Sequence, residues 1–527
     1  MEAHWPPLVR ALTDPDRYPH PVDEVVVLET HISYVLLTGE YAYKIKKPFD
    51  LGFLDFSTLH KRRRACEEEL RINRRTAPDL YLGVWPITGT PEEPVLNGSG
   101  EAFEYAVRMV QFDPGLRADR CLERGELTPA IMRDFGQRVA DFHQEAAEPP
   151  EGTDYGRFAR IRADQKANLA ELRKELDGLP ITLERFDRLA DWVGDFLENH
   201  RGHFEARCRE GWIREGHGDL HLSNLALRDG VLVPFDAIEF DPALRFTDVM
   251  ADAAFAWMDL LSRERRDLAT TFLNAYLERT GDYAGVRLLP FYTVYRALVR
   301  AKVAALQVAE AEADGAAETL RRRADHYFRL AEDTANGDSA MLVVGRGVTG
   351  VGKSLVSEPV LAELGGIRIR SDVERKRLAG MEAEASGAAE VGAGIYSAEM
   401  STRTYERLLA LARPVLAAGL PVFLDATYLK SERRRAAREL AAELGVPFAI
   451  LALGAPEADI RRWIRERAAE SGNPSDADEA VLESQLSNQD PLTEAEEAIT
   501  VRVDTSRHLD FAAIASALRR TARVPQA

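Results

Sequence analysis

Between Val25 and Pro48 apolar and polar positions alternate: VVVL, then SYVLLTG, then a Gly-Glu turn, then YAYKIKKP. A period of two sends successive side chains to opposite faces, so this stretch predicts a small antiparallel sheet. In LHKRRRACEEELRINRRT the apolar spacing changes to about 3.6, which predicts a helix ended by Ala77-Pro78. Two more strand-like runs, YLGVWPIT and FEYAVRMVQF, flank the turn-rich TPEEPVLNGSG.

After Asp113-Pro114 helical patterns run, with interruptions, to about Asp333, broken by one strand-rich island between Gly216 and Phe240. The last helical stretch, roughly Thr293 to Ala331, leads into the polar junction Asn336 to Ala340. Beyond it MLVVGR, a helix from Lys353, IRIRSD, a long helix near Thr402 to Ala418, PVFLDAT, another helix and PFAILAL alternate, as βαβ units around a parallel sheet do. SGNPSDADEA near Ser471 reads as a loop. The expected class is a multidomain α+β and α/β chain, with a sheet-rich lobe over 1–112, a helical lobe over 113–335 and an α/β domain over 336–527.

A chain of 527 residues is too long for a single core, since cores stop growing near about 250–300 residues. With 45% hydrophobic and 29% charged residues the composition is globular. The three cysteines, Cys66, Cys121 and Cys208, are widely spaced and show neither a disulfide framework nor a zinc pattern, which fits a reducing cytoplasm. The amino-terminal residues lack a basic segment followed by an apolar run. No stretch approaches the roughly 18–20 apolar residues of a membrane span, so no membrane partner is expected. A net charge of −18 disfavours nucleic acid as a partner without excluding a small basic cleft.

The sharpest motif is Gly347-Val-Thr-Gly350-Val-Gly352-Lys353-Ser354, a G-x4-G-K-[ST] loop between an apolar strand and a helix. Glycines there let backbone N–H groups turn toward phosphates, and the helix N-terminus adds its dipole. Lys353 is expected at the β/γ-phosphates and Ser354 at Mg²⁺. PVFLDAT ends an apolar strand in Asp425, where a carboxylate would hold the Mg²⁺ shell or cap the next helix.

A second constellation is His217-Gly218-Asp219-Leu-His221-Leu-Ser-Asn224, followed by a strand, VLVPF, that ends in Asp236. A catalytic loop, a short hairpin and an aspartate bring Asp219, Asn224 and Asp236 to one edge. Charge and geometry assign Asp219 to the acceptor hydroxyl, and Asn224 and Asp236 to Mg²⁺.

The H-G-D-x4-N pattern resembles the catalytic loop of aminoglycoside phosphotransferases and their protein-kinase relatives. The resemblance implies a bilobal kinase-like fold, with Lys44 of Tyr41-Ala42-Tyr43-Lys44 on the α/β-phosphates and Glu69 as its partner. Lys46 on the same strand face, and the neighbouring Glu68, are the rivals. Asp248 and Asp252 resemble the aspartates that brace the catalytic loop in this superfamily. This sequence has no G-x-G-x-x-G loop before Lys44 and no APE-type segment after Asp236, which favours a small-molecule kinase of the aminoglycoside or choline type. The C-terminal half resembles P-loop kinases of the polynucleotide kinase, gluconate kinase and zeta-toxin type. That resemblance makes Asp372 the general base and Arg375 the acceptor clamp, or else a helix cap and a surface arginine. It makes APEADIRRWIRERAAE a lid offering Arg462 and Arg467, with Arg465 close behind and Trp463 where the first lid arginine is expected. YKIKKPFDLGFLDFSTLHKRR and IRSDVERKRLAG are also similar to a group of bacterial fusion proteins with this domain order.

The resulting expectation is a cytoplasmic, ATP- and Mg²⁺-dependent phosphotransferase with two modules, each acting on a small-molecule hydroxyl whose identity the motifs do not carry. Two alternatives stay open: an ATP-binding sensor with one inactive module, and a nucleic-acid-end kinase in the C-terminal half.

Overall fold

Alternation near the amino terminus becomes three antiparallel strands, β1 (Val26–Glu29), β2 (Ser33–Leu37) and β3 (Tyr41–Lys46). With β4 (Tyr81–Gly89), β5 (Pro94–Leu96) and β6 (Glu104–Val110) they form a six-stranded sheet in the order β1-β2-β3-β6-β4-β5. The short β5 lies inside the segment that reads as turn. Its Leu96 pairs with Ile87 of β4, and both are buried with Tyr43 and Ile45, so two apolar residues suffice to pin a polar run to the sheet. The helix Leu59–Asn73 starts where the Thr58 hydroxyl accepts the Lys61 N–H, and it buries Cys66, Glu69 and Ile72. The computed structural model describes residues 5–50, 54–310, 314–337, 339–381, 397–469 and 479–522.

The strand-rich island is wider than its sequence pattern suggests. β7 (Ile213–Glu215) precedes it and pairs with β10 (Phe246–Asp248) beyond it, while β8 (Leu225–Arg228) and β9 (Val231–Pro234) make the hairpin between. Three-residue strands such as β7 and β10 are too short to show a period, and only their pairing defines them.

The chain forms two compact units. One comprises residues 1–131, 142–160 and 207–256; the other comprises 132–141, 161–206 and 257–527. The helical stretch 113–335 is therefore divided between them. No helix among the described residues is long and apolar enough to cross a membrane.

In the second unit a parallel sheet runs β12-β13-β11-β14-β15, from β11 (Leu342–Arg346), β12 (Ile367–Arg370), β13 (Val422–Asp425), β14 (Phe448–Gly454) and β15 (Thr500–Asp504). β11, β13 and β14 are almost wholly apolar and buried, as strands covered on both faces must be. β12 is an edge strand, and the helix Arg266–Thr280 closes its open side. Asn274 donates to the Gly366 carbonyl (3.0 Å) and accepts the Arg368 N–H (2.6 Å), satisfying both backbone groups with one carboxamide. Glu278, from the same helix, holds Arg368 at 3.0 Å and Arg370 at 3.4 Å. The loop-like segment around Ser471 lies largely outside the described residues.

Candidate active sites

On β3 the period of two puts Lys44 and Lys46 on one face, and both are buried. Lys44 Nζ donates to Glu69 (2.8 Å) and Asp236 (2.5 Å); Lys46 Nζ donates to the other oxygen of Glu69 and to Glu239. The result is an unbroken chain of alternating charge, Asp236–Lys44–Glu69–Lys46–Glu239. Burial alone would lower the Lys44 ammonium, but Asp236, Glu69 and Glu239 outweigh it and hold its pKa well above the lysine range. For Glu69 burial works upward and the two lysines work downward; the lysines win and keep it ionised. Burial prevails at Glu239, whose pKa is raised. Only Asp236, at 44% side-chain exposure, opens this chain to solvent. Glu68 turns away to Arg71 and Arg245.

Asp236 has φ +60°, a left-handed backbone that a non-glycine residue adopts at some cost. Two side chains hold it there: the Tyr81 hydroxyl accepts the Asp236 N–H (3.0 Å), and Asn73 accepts the Ala237 N–H (2.8 Å). Neither Tyr81 nor Asn73 stands out in the sequence, and neither does Glu239.

The HGD loop is fixed from below by Asp252, which accepts the N–H groups of His217 (2.7 Å) and Gly218 (2.9 Å) and pairs with His143 (3.1 Å). Burial would raise its carboxyl, but His143 and His217 hold it far below the carboxylate range. Asp248 takes a different role, gripping Arg207 at 2.5 and 2.7 Å. His217 accepts the Asp219 N–H at Nδ1 (3.3 Å), so its proton sits on Nε2, which donates to the Phe235 carbonyl (3.0 Å). This neutral tautomer agrees with burial pushing the imidazole pKa down. Asn224 donates to Asp219 Oδ2 (2.8 Å), and His221 Nε2 lies 3.3 Å from the same oxygen.

In the second unit the loop 347–352 joins β11 to the helix Lys353–Leu364. Gly350 (φ +76°) and Gly352 (φ +85°) supply the left-handed turns, and a Cβ on Gly350 would strike Ile464 at 2.6 Å. Lys353 Nζ folds onto its own loop, donating to the Gly347 (3.2 Å) and Val348 (2.9 Å) carbonyls. At the C-terminal end of β13 the buried Asp425 accepts from the hydroxyls of Ser354 (3.3 Å) and Ser357 (3.4 Å). Asp372 is exposed in the first turn of the helix Ser371–Leu378, and Arg375 is half-buried one turn on.

Arg462 does not meet the phosphate loop. It points to solvent and pairs with Asp459 (2.8 Å) and Glu466 (3.7 Å) of its own helix, Glu457–Ala469. That helix turns Ile460 and Ile464 to the loop, and Arg465 reaches Glu479. Trp463 packs against the core. The side chain of Arg467 lies outside the described residues.

The fold and motifs together define a two-part chain, a protein-kinase-like N-terminal fold followed by a P-loop domain. A family model described as an AAA domain matches residues 342–492. The uncharacterized protein Rv2004c of Mycobacterium tuberculosis (strain ATCC 25618 / H37Rv) is 32% identical over 427 residues, 80% of this chain and 83% of that one. The chain belongs to the same family as this mycobacterial protein. Among solved structures, a choline kinase from Cryptosporidium parvum Iowa II is similar with a TM-score of 0.37 and 14% identity, covering 59% of this chain and 89% of that one. A gluconokinase from Sinorhizobium meliloti 1021 is similar with a TM-score of 0.25 and 22% identity, covering 35% of this chain and 94% of that one.

Proposed function

We propose that the chain is an ATP-dependent phosphotransferase with two separate sites, each moving the γ-phosphoryl group to a hydroxyl of a small molecule. The observation that carries this reading is the ion chain from Glu239 to Asp236. Two buried ammonium groups are held charged by carboxylates, and the chain ends at a half-exposed aspartate. A stability role alone does not call for buried ion pairs, since apolar residues of the same size would serve as well or better.

In the N-terminal site, Lys44 would hold the nucleotide phosphates and Asp219 would orient the acceptor hydroxyl and accept its proton, fixed in place by Asn224 and the neutral His217. Asn224 spends its N–H on Asp219, which would leave its oxygen free to serve with Asp236 as a ligand. This small all-oxygen donor set fits Mg²⁺, which takes few protein ligands and completes its shell with phosphate and water. In the C-terminal site Ser354 and Asp425 form a similar oxygen pair, with Lys353 on the phosphates and Asp372 and Arg375 on the acceptor. When bound, Mg²⁺ would neutralise charge building on the phosphate oxygens. The rest is positioning by the protein.

The test is to incubate the protein with γ-labelled ATP and a bacterial metabolite extract, comparing wild type, Asp219→Asn and Lys353→Ala. Each variant is expected to lose a different labelled product, with Asp219→Asn slowing its own by about 10²–10⁴-fold. Unchanged labelling in both variants would refute the two-site reading.

A further inference from the structure

The phosphate loop has a polar contact that its motif does not call for. Thr349 N–H donates to Gln485 Oε1 at 2.7 Å, across 136 residues of chain. Gln485 is half-buried on the helix Glu479–Ser487. Thr349 offers only a hydrogen, so the carboxamide must turn its oxygen to the loop, and the orientation of the NH₂ end follows. That end has no hydrogen-bond partner among the described residues. A carboxamide whose acceptor is already engaged by the loop has only donors left for anything that enters. Phosphate oxygens only accept.

Thr349 also lies at a definite end of the loop. Lys353, the residue that reads the β/γ side of a bound triphosphate, folds its Nζ onto the carbonyls of Gly347 and Val348, immediately before Thr349. The opposite end, Gly352 to Ser354, is the helix N-terminus. Gln485 therefore stands at the end of the loop where the Lys353 ammonium rests, away from the helix N-terminus. The backbone of the loop is held from the same side at Gly350, where Ile460 and Ile464 pack.

We propose that Gln485 is a phosphate-reading residue of the P-loop site: Thr349 orients its carboxamide, and its Nε2 donates to the terminal phosphate of ATP. The inference rests on the P-loop binding a nucleotide. A purely structural role, satisfying the Thr349 N–H, is separable from it. In Gln485→Glu the carboxylate still accepts that N–H, and more strongly, but it has no donor to offer and repels the triphosphate. Gln485→Met loses both functions.

The experiment measures Mg²⁺-dependent binding of fluorescent ATP and ADP analogues to the full chain, for wild type, Gln485→Glu, Gln485→Met and Lys353→Ala. The loss in Lys353→Ala defines the P-loop share of binding. Within that share, Gln485→Glu and Gln485→Met are each expected to weaken the ATP analogue about tenfold, the size of one hydrogen bond to a charged group, and the ADP analogue far less. Wild-type affinity in Gln485→Glu, or equal losses for both nucleotides, overturns the role of Gln485 and leaves the P-loop reading standing. No loss in Lys353→Ala overturns both.

Discussion

Lys44 and Lys353 are both candidate phosphate ligands, yet they are held in opposite ways. Lys44 is buried and locked between carboxylates that share charge with a second buried lysine, whereas Lys353 rests on two backbone carbonyls of its own loop. Charge in the first site is already assembled within the protein, at the cost of desolvating four ionic groups, Lys44, Glu69, Lys46 and Glu239. In the second, the glycine-turned backbone does the shaping and the lysine is the part that must swing. The N-terminal site should therefore be sensitive to losing any one ionic partner, and the C-terminal site to changes in loop backbone.

The largest effect should come from Glu69→Ala, which deprives both buried lysines of their shared partner. A destabilisation of about 3–5 kcal/mol is expected, read as faster amide exchange across residues 41–46. Next comes Asn274→Ala, which leaves the Arg368 N–H and the Gly366 carbonyl without a partner at the sheet edge. It should cost about 1–3 kcal/mol, measured as loss of amide protection at Arg368. Asn274→Asp, which can accept but not donate, should recover part of that protection.

Smaller again is a pH effect confined to the first unit. The folded pKa of His217 is depressed, so below the unfolded value near 6.5 the unfolded chain takes up a proton that the folded chain refuses. Stability of the HGD loop is therefore full above that value and declines as pH falls toward the folded pKa, by at most about 1.4 kcal/mol per pH unit. Amide exchange of residues 217–224 at pH 7.5 and 5.5 would show it, and equal protection at the two pH values would contradict it. The smallest effect should be that of Lys353→Met on stability, within about 1 kcal/mol, since the Gly347 and Val348 carbonyls it would release are backbone groups that water can satisfy. A larger loss would mean that the two sites are less different than their geometry indicates.

What could be read from the chain and what could not divides along the same line. β3, the helix Leu59–Asn73 and the strand–loop–helix at Lys353 are local patterns of period and glycine placement, and they were legible. Alternation put Lys44 and Lys46 on one face but could not say which meets Glu69; in the fold both do, because a carboxylate has two oxygens. Glu239, Asn274 and Gln485 were not legible. Their partners lie 193, 94 and 136 residues away, and nothing periodic marks them. For Arg462 the spacing could show that it lies on a helix, but not which face turns inward. Ile460 and Ile464 decide that.

The left-handed backbone at Asp236 governs how that position can be probed. Asparagine tolerates such a conformation, so Asp236→Asn removes the negative charge and leaves the chain path intact. Alanine carries a Cβ without a compensating local hydrogen bond, and it would add about 1–2 kcal/mol of backbone strain to the lost charge. An alanine scan would therefore overstate the importance of this carboxylate, and the amide variant is the fair comparison.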